Sequence, residues 1–172
     1  MRKVAVVPHN PAWQQAFELE SKQIAQILGE NVVAIHHIGS TAIPGIYAKP
    51  IIDFLVAVRA IALVDRQSGA MGQLGYEIMG EFGIPGRRYF HKDNAAGIRT
   101  HHVHVFAVGS AQIERHLAFR DYMRAHPADA QAYSDLKRQL AAAYPTDIDA
   151  YIAGKDSFIQ AIDIKAAVWR SP

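Results

Sequence analysis

The sequence has no cysteine among its 172 residues. Disulfide bridges and zinc sites built from thiolates are therefore excluded, and this fits the cytoplasmic location that we expect. Long hydrophobic runs are also lacking, because none approaches the roughly 20 residues that span a bilayer. We therefore expect no membrane segment. The first residues, MRKVAVVPHN, contain only four consecutive apolar residues before Pro8, and we expect no signal peptide there.

A large excess of one charge is lacking too. The chain has 18 lysine and arginine residues and 16 acidic residues, which give a formal net charge of +2. This charge is too small to indicate nucleic acid as a partner, and we do not favour one. Half of the residues are hydrophobic, which is ordinary for a soluble globular protein. The length predicts a single domain over residues 1–172 and leaves the oligomeric state open.

Hydrophobic periodicity divides this domain into a sheet unit, about residues 1–109, and a helical part, about residues 110–172. Asn10 and Pro11 are typical of a helix start, and Gly29 is typical of its end. The pattern predicts strands at 32–38, 51–58, 87–92 and 99–108, and helices at 10–28, 60–74, 110–125, 127–144 and 147–169. The fold class is therefore α/β (α+β): a mixed β-sheet flanked by helices, with a C-terminal three-helix segment packed on it.

The stretch at 32–58 contains the most informative pattern. Gly39, Ser40 and Thr41 follow the first of two apolar segments, which are residues 32–38 and 51–58. Glycine lets the backbone approach a ligand closely, and the free N–H groups of such a turn, helped by two hydroxyls, form an anion nest. The turn therefore predicts phosphate binding, with a simple tight turn as the alternative. Asp53 lies alone in the second apolar segment, where it must be ligated, hydrogen-bonded or exposed in a cleft, because an unpaired buried charge is very costly.

Three segments, HIGSTAIPGIYAKPIIDFLV, THHVHVF and HLAFRDYMRAHP, resemble the GrpB family of small proteins with a nucleotidyltransferase fold. Gly39 and Ser40, followed after twelve residues by Asp53, are similar to the signature of the wider nucleotidyltransferase superfamily. The resemblance runs over nearly the whole chain and implies a nucleotidyltransferase-like fold, but no particular reaction. The superfamily's second acid would fall at position 55, where this sequence has Leu55, so a second metal ion is disfavoured.

Histidines near the end of the sheet unit are candidate metal ligands. Alternation along the strand places His102, His104 and Phe106 on one face. If this strand lies beside the Asp53 strand, as the resemblance implies, Asp53, His102 and His104 can hold a divalent ion such as Zn, Mn or Fe. Mg is less natural there because it prefers oxygen ligands. The alternative is that the histidines only form hydrogen bonds within a half-exposed sheet face.

Residues beside these motifs are further candidates. His37 adjoins the turn and is expected to face the Asp53 side, whereas His36 and His101 are expected to face the other way. Lys49 precedes the second strand and can contact phosphate as a point charge. A solvated loop lysine explains Lys49 equally well.

Cations recur around the predicted site. Arg88 and Arg99 are candidate substrate ligands near one edge of the sheet, and alternation lets only one of Arg87 and Arg88 face the cleft. Solvated edge charges are the alternative. At 100° per residue, Arg120, Lys137 and Lys155 each fall on the apolar face of their own helix. Three such residues predict either buried ion pairs or cations directed at an anionic ligand between sheet and helices. The segment around Arg120 also matches the family's pattern.

Together these features predict a protein that binds a nucleotide or another phosphorylated small molecule. Asp53 and His104 would be the catalytic residues of a metal-assisted nucleotidyl or phosphoryl transfer, with Mg, Mn or Zn as cofactor. The sequence leaves turnover open. The alternative is a non-catalytic sensor or accessory module with a degenerate transferase pocket, which Leu55 favours. A histidine-triad hydrolase is disfavoured, because Phe106 stands where the third histidine of that pattern would be.

Overall fold

A computed structural model describes residues 3–172 of the chain. The strands are β1 (Val32–Ile38), β2 (Ile52–Val58), β3 (Glu77–Ile78), β4 (Arg88–Asp93) and β5 (Arg99–Ala107). The helices are α1 (Ala12–Leu28), α2 (Ile61–Gln73), α3 (Ala111–Ala125), α4 (Pro127–Ala143) and α5 (Ile148–Arg170). The helices and strands predicted from the sequence are confirmed, with bounds that shift by at most two residues. The predicted fold class, a mixed sheet flanked by helices, is also confirmed.

The five strands form one sheet in the order β1-β2-β5-β4-β3. β2 and β5 are parallel, whereas the other neighbouring strands are antiparallel. Two parallel neighbours need a long connection, and α2, β3 and β4 provide it between β2 and β5. This pairing places Asp53 opposite His102 and Leu55 opposite His104. The acid-bearing strand and the histidine-bearing strand are thus adjacent, as the family resemblance implied.

Helices α1 and α2 cover one face of the sheet. α1 starts after Asn10, whose Oδ1 accepts a hydrogen bond from Ala12 N (2.9 Å), and it ends at Gly29, which has a φ of 58°. The apolar residues of α1 pack against the sheet. The buried cluster on this face includes Trp13, Ile24, Leu28, Phe54, Val56, Val64, Met71, Val103 and Val105. Burial of each large apolar side chain stabilises the fold by about 1.5–3 kcal/mol.

Helices α3, α4 and α5 cover the opposite face. Side-chain caps begin α3 and α5: Ser110 Oγ accepts a hydrogen bond from Gln112 N (3.3 Å), and Asp147 Oδ1 accepts one from Ala150 N (3.0 Å). A small apolar cluster joins α3 to the strands: Ile38, Leu55, Phe106, Ile113 and Leu117. Beside this cluster, a cavity remains between the sheet and the helices.

No helix within residues 3–172 is long and apolar enough to cross a membrane.

Candidate functional site

The cavity has a volume of about 330 Å³, which suits a small-molecule ligand. Its walls come from the β1–β2 connection, from β2 and β5, and from the three C-terminal helices. Nine residues predicted from the sequence line it: Gly39, Ser40, Thr41, Lys49, Asp53, His102, His104, Lys137 and Lys155. The structure therefore gathers most of the candidates, although they are spread over more than a hundred positions of the chain.

One end of the cavity, here called the acid end, is formed by Asp53, His102 and His104. His102 Nδ1 lies 3.2 Å and His104 Nε2 lies 3.4 Å from Asp53 Oδ1. One ligand atom from each residue lies within 4.8 Å of the other two. An ion about 2.0–2.2 Å from each atom would span such separations. The three residues present therefore fit a single divalent ion.

The Asp53 carboxylate is stabilised as an anion. Burial acts to raise the pKa of Asp53, but hydrogen bonds and charge interactions with His102 and His104 outweigh it and hold that pKa well below the usual range. The sheet register explains this arrangement: His102 pairs with Asp53, and alternation returns His104 to the same face two residues later. Asp53 is thus available as a charged ligand at neutral pH.

Two consecutive arginines have roles opposite to those expected. Arg88, predicted to bind substrate, instead pairs with Asp65 of α2, with 2.7 Å between Nε and Oδ1. Arg87 is buried, and its Nη1 lies 3.2 Å from His104 Nδ1. Alternation lets only one of two neighbours face the site. The prediction is therefore corrected: Arg87 is the arginine at the acid end, and Arg88 is not.

Arg99 also reaches the acid end. Its Nη1 lies 3.4 Å from His102 Nε2, while its Nε donates a hydrogen bond to Asp93 Oδ1 (2.6 Å). The ion pair with Asp93 offsets part of its charge. Both histidines of the cluster therefore have an arginine beside the ring nitrogen that faces away from Asp53.

The predicted phosphate turn is only partly available to a ligand. Thr41 is buried, and its hydroxyl donates to Ile51 O (3.0 Å) and accepts from His37 Nε2 (2.9 Å). The Ser40 side chain forms a hydrogen bond with Tyr133. The Thr41 hydroxyl is therefore used to hold the turn in place, and the prediction that it helps bind phosphate is corrected.

His37 does not face the Asp53 side of the sheet, and that prediction is wrong. Ile38 is the residue that pairs with Asp53, whereas His37 pairs with Phe54 on the other face. The His37 ring stacks on Phe17 of α1 with 4.8 Å between centroids. Burial lowers the pKa of His37 to about 4, so the ring is neutral at pH 7. His37 is a packing residue.

A second group of lining residues, here called the lysine end, consists of Lys49, Lys137 and Lys155. Lys137 Nζ lies 4.5 Å from the centroid of the Tyr133 ring. Lys49 Nζ and Lys155 Nζ lie 5.1 Å and 4.6 Å from the centroid of the Tyr151 ring. Two aromatic rings thus hold three cations together, and cation–π contacts of this kind favour the charged ammonium.

The charged forms of two of these lysines are destabilised. Lys137 is 1% exposed, and its Nζ has no hydrogen-bond partner among the residues described. Burial, followed by the charges of Lys155 and Lys49, lowers the pKa of Lys137 to about 7. Burial and Lys49 lower the pKa of Lys155 to about 8, although Asp53 opposes the shift. An anion at the lysine end would relieve this repulsion.

Arg120 does not line the cavity, and its predicted role as a substrate ligand is corrected. Its Nε donates to Asp121 Oδ1 (2.9 Å), and its Nη1 donates to the carbonyl oxygen of His37 (3.2 Å). α3 instead turns Arg115 and His116 towards the cavity. Burial, with Arg115 and His104 nearby, lowers the pKa of His116 to about 3, so this ring is neutral.

Five lining or supporting residues were missed as site residues: Arg87, Arg115, His116, Tyr133 and Tyr151. A signal existed for the two tyrosines, because each precedes a predicted lysine by four residues on the same helix. Such residues are neighbours on a helix surface. Tyr133 is buried beside Lys137, and burial raises the pKa of Tyr133 to about 12 despite its hydrogen bond with Ser40.

Comparisons with known proteins agree with this architecture. The family model described as GrpB protein matches residues 3–165. The UPF0157 protein YqkA of Bacillus subtilis is 47% identical over 169 residues, which are 98% of this chain but 49% of that protein. The glutamate-rich protein GrpB of Alkalihalophilus pseudofirmus is 36% identical over 163 residues, which are 93% of this chain and 94% of that protein.

A solved structure is also similar. The crystal structure of the conserved protein GrpB from Enterococcus faecalis matches with a TM-score of 0.92 and 48% identity, over 96% of this chain and 100% of that chain. The chain spans about half the length of the Bacillus subtilis relative. The match to the family model over nearly all residues, together with these relatives, shows that the chain belongs to the GrpB family.

Proposed function

We propose that this protein binds a nucleotide or another phosphorylated small molecule in the cavity between the sheet and the C-terminal helices. The observation that carries the proposal is Lys137. Its side chain lines the cavity, and its ammonium group is enclosed without a hydrogen-bond acceptor in the described part of the chain. A desolvated charge of this kind is costly unless an anion compensates it. The lysine end is therefore the place for the ligand's phosphate.

The two ends of the cavity differ in charge, and this difference fits such a ligand. The lysine end carries cations, while the acid end carries Asp53. Lys155 and Asp53 line the same cavity, so one ligand can contact both ends. A phosphate group can therefore lie near the lysines while a bond at that phosphate lies near Asp53. Because the interior has a low dielectric constant, the lysine charges act strongly on the ligand.

A divalent ion at Asp53, His102 and His104 is part of the proposal. Bound there, it would act as a Lewis acid towards a phosphoryl oxygen. The chain's own residues would position the ligand: the Ser40 turn and the lysine end would hold phosphate, and Asp53 with His104 would lie beside the reacting bond. The proposed reaction is nucleotidyl or phosphoryl transfer. Leu55, fully buried at the position of a second acid, leaves a place for one ion rather than two.

Leu55 also favours a second candidate, a sensor or accessory module that binds the same ligand without turnover. In a transferase with two metal ions, the ions stabilise both the attacking and the leaving oxygens, and a second carboxylate helps to bind the ions. Here that position belongs to the apolar cluster of Leu55, Ile38 and Phe106. Release of phosphate or pyrophosphate from the bound nucleotide distinguishes the two candidates, because only the transferase produces it.

The proposal is tested by thermal-shift measurements with inorganic pyrophosphate, AMP and ATP, each with and without Mn. Ligands that bind the folded state raise the melting temperature by mass action. We expect these ligands to raise the melting temperature of the wild type. Lys137→Met should lose the shift that occurs without Mn. Asp53→Asn should lose only the additional shift that Mn produces. Lys22→Met, which removes an exposed lysine of α1, is the matched control. An equal shift in the wild type and in Lys137→Met would contradict the proposal.

A further inference from the structure

The two histidines of the acid end are each held between Asp53 and an arginine. We infer that Arg87 and Arg99 are positioning residues that fix His102 and His104 with their N–H groups directed at Asp53, and thereby keep the metal affinity of the acid end low. The inference rests on the divalent-ion site in the proposed function, but it is independent of the lysine end. Neither arginine lies in the motifs that carried the family resemblance.

The contact between Arg87 and His104 determines which nitrogen of that ring carries hydrogen. A guanidinium group only donates hydrogen bonds. His104 Nδ1, 3.2 Å from Arg87 Nη1, must therefore be the acceptor. In a neutral imidazole the other nitrogen then carries the hydrogen, so Nε2–H donates to Asp53 Oδ1 at 3.4 Å.

His102 repeats this arrangement with its two nitrogens exchanged. Its Nε2 lies 3.4 Å from Arg99 Nη1 and accepts from it. Its Nδ1–H therefore donates to Asp53 Oδ1 at 3.2 Å. Both rings thus donate to the same oxygen, and a continuous chain of hydrogen bonds runs from Arg87 through Asp53 to Arg99.

A metal ion would have to replace these hydrogens. It would bind the ring nitrogens that now face Asp53, and each ring hydrogen would move to the nitrogen that faces an arginine. Each ring N–H would then face an arginine N–H, and neither group can accept a hydrogen bond. In ordinary metal sites the outer ring N–H instead donates to a carboxylate or a carbonyl group. The two guanidinium charges also repel a divalent cation. Both effects weaken metal binding in the same direction.

Arg87 is poorly able to move aside. It is 7% exposed, its Nη2 donates to Phe82 O (2.9 Å), and its Nε donates to Glu81 O (3.2 Å). The guanidinium group also lies over the Tyr89 ring, 4.7 Å from its centroid. Arg99 is held by its ion pair with Asp93. The loop that precedes β4 therefore fixes one arginine, and the β4–β5 hairpin fixes the other.

The first test reads the ring tautomers directly. In protein with ¹⁵N-labelled histidine, long-range ¹H–¹⁵N correlation spectra of the metal-free wild type should show hydrogen on Nε2 of His104 and on Nδ1 of His102. Arg87→Met should remove this preference in His104 and leave His102 unchanged. The opposite tautomers in the wild type would overturn the inference. A merely structural role for Arg87 predicts no selective change in one ring.

The second test measures metal affinity by competition with a chromophoric zinc chelator. Outer partners of histidine ligands change metal affinity by about 10–100-fold, so Arg87→Met and Arg99→Met should each bind Zn at least about 10-fold more tightly than the wild type. Arg88→Met is the matched control, because Arg88 pairs with Asp65 away from the cluster, and its affinity should be unchanged. Equal or weaker binding in both cluster variants would overturn the inference.

The test of the inference does not depend on Arg87 alone. If the buried Arg87 cannot be replaced without unfolding, Arg99→Met decides the test, because Arg99 lies at the hairpin and is less enclosed. If the proposed phosphate binding fails, the metal-independent thermal shifts will be absent, while the tautomers and the zinc affinities can still follow the expected pattern. A failure of this inference is therefore distinguishable from a failure of the proposed function.

Discussion

Gly39 lies so close to Asp53 that a Cβ atom at this position would be 2.5 Å from Asp53 Oδ2. Gly39 also has a φ of 74° and a ψ of −175°, a backbone conformation that essentially only glycine adopts. Two independent physical reasons therefore require glycine here. The turn after β1 and the carboxylate at the start of β2 form one unit, because the turn's backbone packs directly on the acid.

Replacement of Gly39 by alanine should damage both the fold and the acid end. We expect Gly39→Ala to lower the free energy of unfolding by about 1–3 kcal/mol, through backbone strain and displacement of the carboxylate. Urea denaturation measures this loss. Gly45→Ala is the matched control, since Gly45 has a φ of 80° but no described atom within 4 Å of a Cβ there. A smaller loss in Gly39→Ala than in Gly45→Ala would contradict the close approach to Asp53.

The buried Lys137 should make stability depend on pH. Its pKa falls from 10.5 to about 7 on folding, chiefly through burial. Between these values the unfolded chain binds a proton that the folded chain does not, so the free energy of unfolding rises with pH. The slope from this lysine is at most about 1.4 kcal/mol per pH unit. Below pH 7 the ammonium is charged in both states, and its full penalty on the folded state remains.

Lys137→Met tests this dependence. The variant should be more stable than the wild type near about pH 6.5, and the difference should shrink by about pH 9.5, where the wild-type lysine is neutral in the fold. Urea denaturation at several pH values measures the free energy of unfolding of both proteins. Because the pKa of Lys155 falls to about 8, the free energy of unfolding of the variant should still rise somewhat with pH. Parallel pH profiles for the two proteins would show that the Lys137 ammonium is compensated in the folded chain.

The predictable parts of the site are those in which the direction of a side chain depends on a single strand or a single helix. Alternation along β5 placed His102 and His104 on one face, and this needed no knowledge of other elements. The helical period placed Lys137 and Lys155 on buried faces in the same way. Each of these predictions used only residues that are neighbours along one regular element, where backbone geometry alone fixes the direction of the side chains.

The errors concern relations that local periodicity does not contain. Which of Arg87 and Arg88 faces the acid end depends on the register of β4 against β5. His37 was assigned to the wrong face because that face is set by the pairing of β1 with β2. Arg120 pairs with Asp121 because its long side chain turns to an adjacent residue, so the position of Arg120 on the helix face does not fix where its charge lies.

Arg120 and Lys155 should behave differently when each is replaced by methionine. Arg120→Met removes an ion pair with Asp121 and a hydrogen bond to His37 O, so we expect it to lower stability by about 1 kcal/mol. The thermal shift produced by pyrophosphate should be unchanged, because Arg120 lies outside the cavity. Lys155→Met should reduce that shift. If the pyrophosphate shift is reduced in Arg120→Met and unchanged in Lys155→Met, the anion binds beside α3 and not beside α5, which would contradict the proposed site.

The face of the sheet that α1 and α2 cover contains a buried ion pair that the sequence did not reveal. Glu20 of α1 is 7% exposed and pairs with Lys92 of β4, and Glu20 Oε2 also accepts a hydrogen bond from the Tyr76 hydroxyl (2.8 Å). The Glu20 charge is compensated by a residue 72 positions away, and α1 alone gives no signal of it. Loss of one partner of a buried pair leaves the other charge uncompensated, which commonly costs about 3–5 kcal/mol.

Glu20→Gln should therefore destabilise the fold strongly while leaving ligand binding intact. We expect a loss of about 3 kcal/mol, at the lower limit because the Lys92 side chain keeps some exposure to water. Glu18→Gln, an exposed change two residues away, should shift stability by less than about 0.5 kcal/mol. The double variant Glu20→Gln/Lys92→Met should recover part of the loss, because no unpaired charge remains. If the double variant is as unstable as the sum of the two single changes, the pair contributes no coupling, and the stability of this face comes from apolar packing alone.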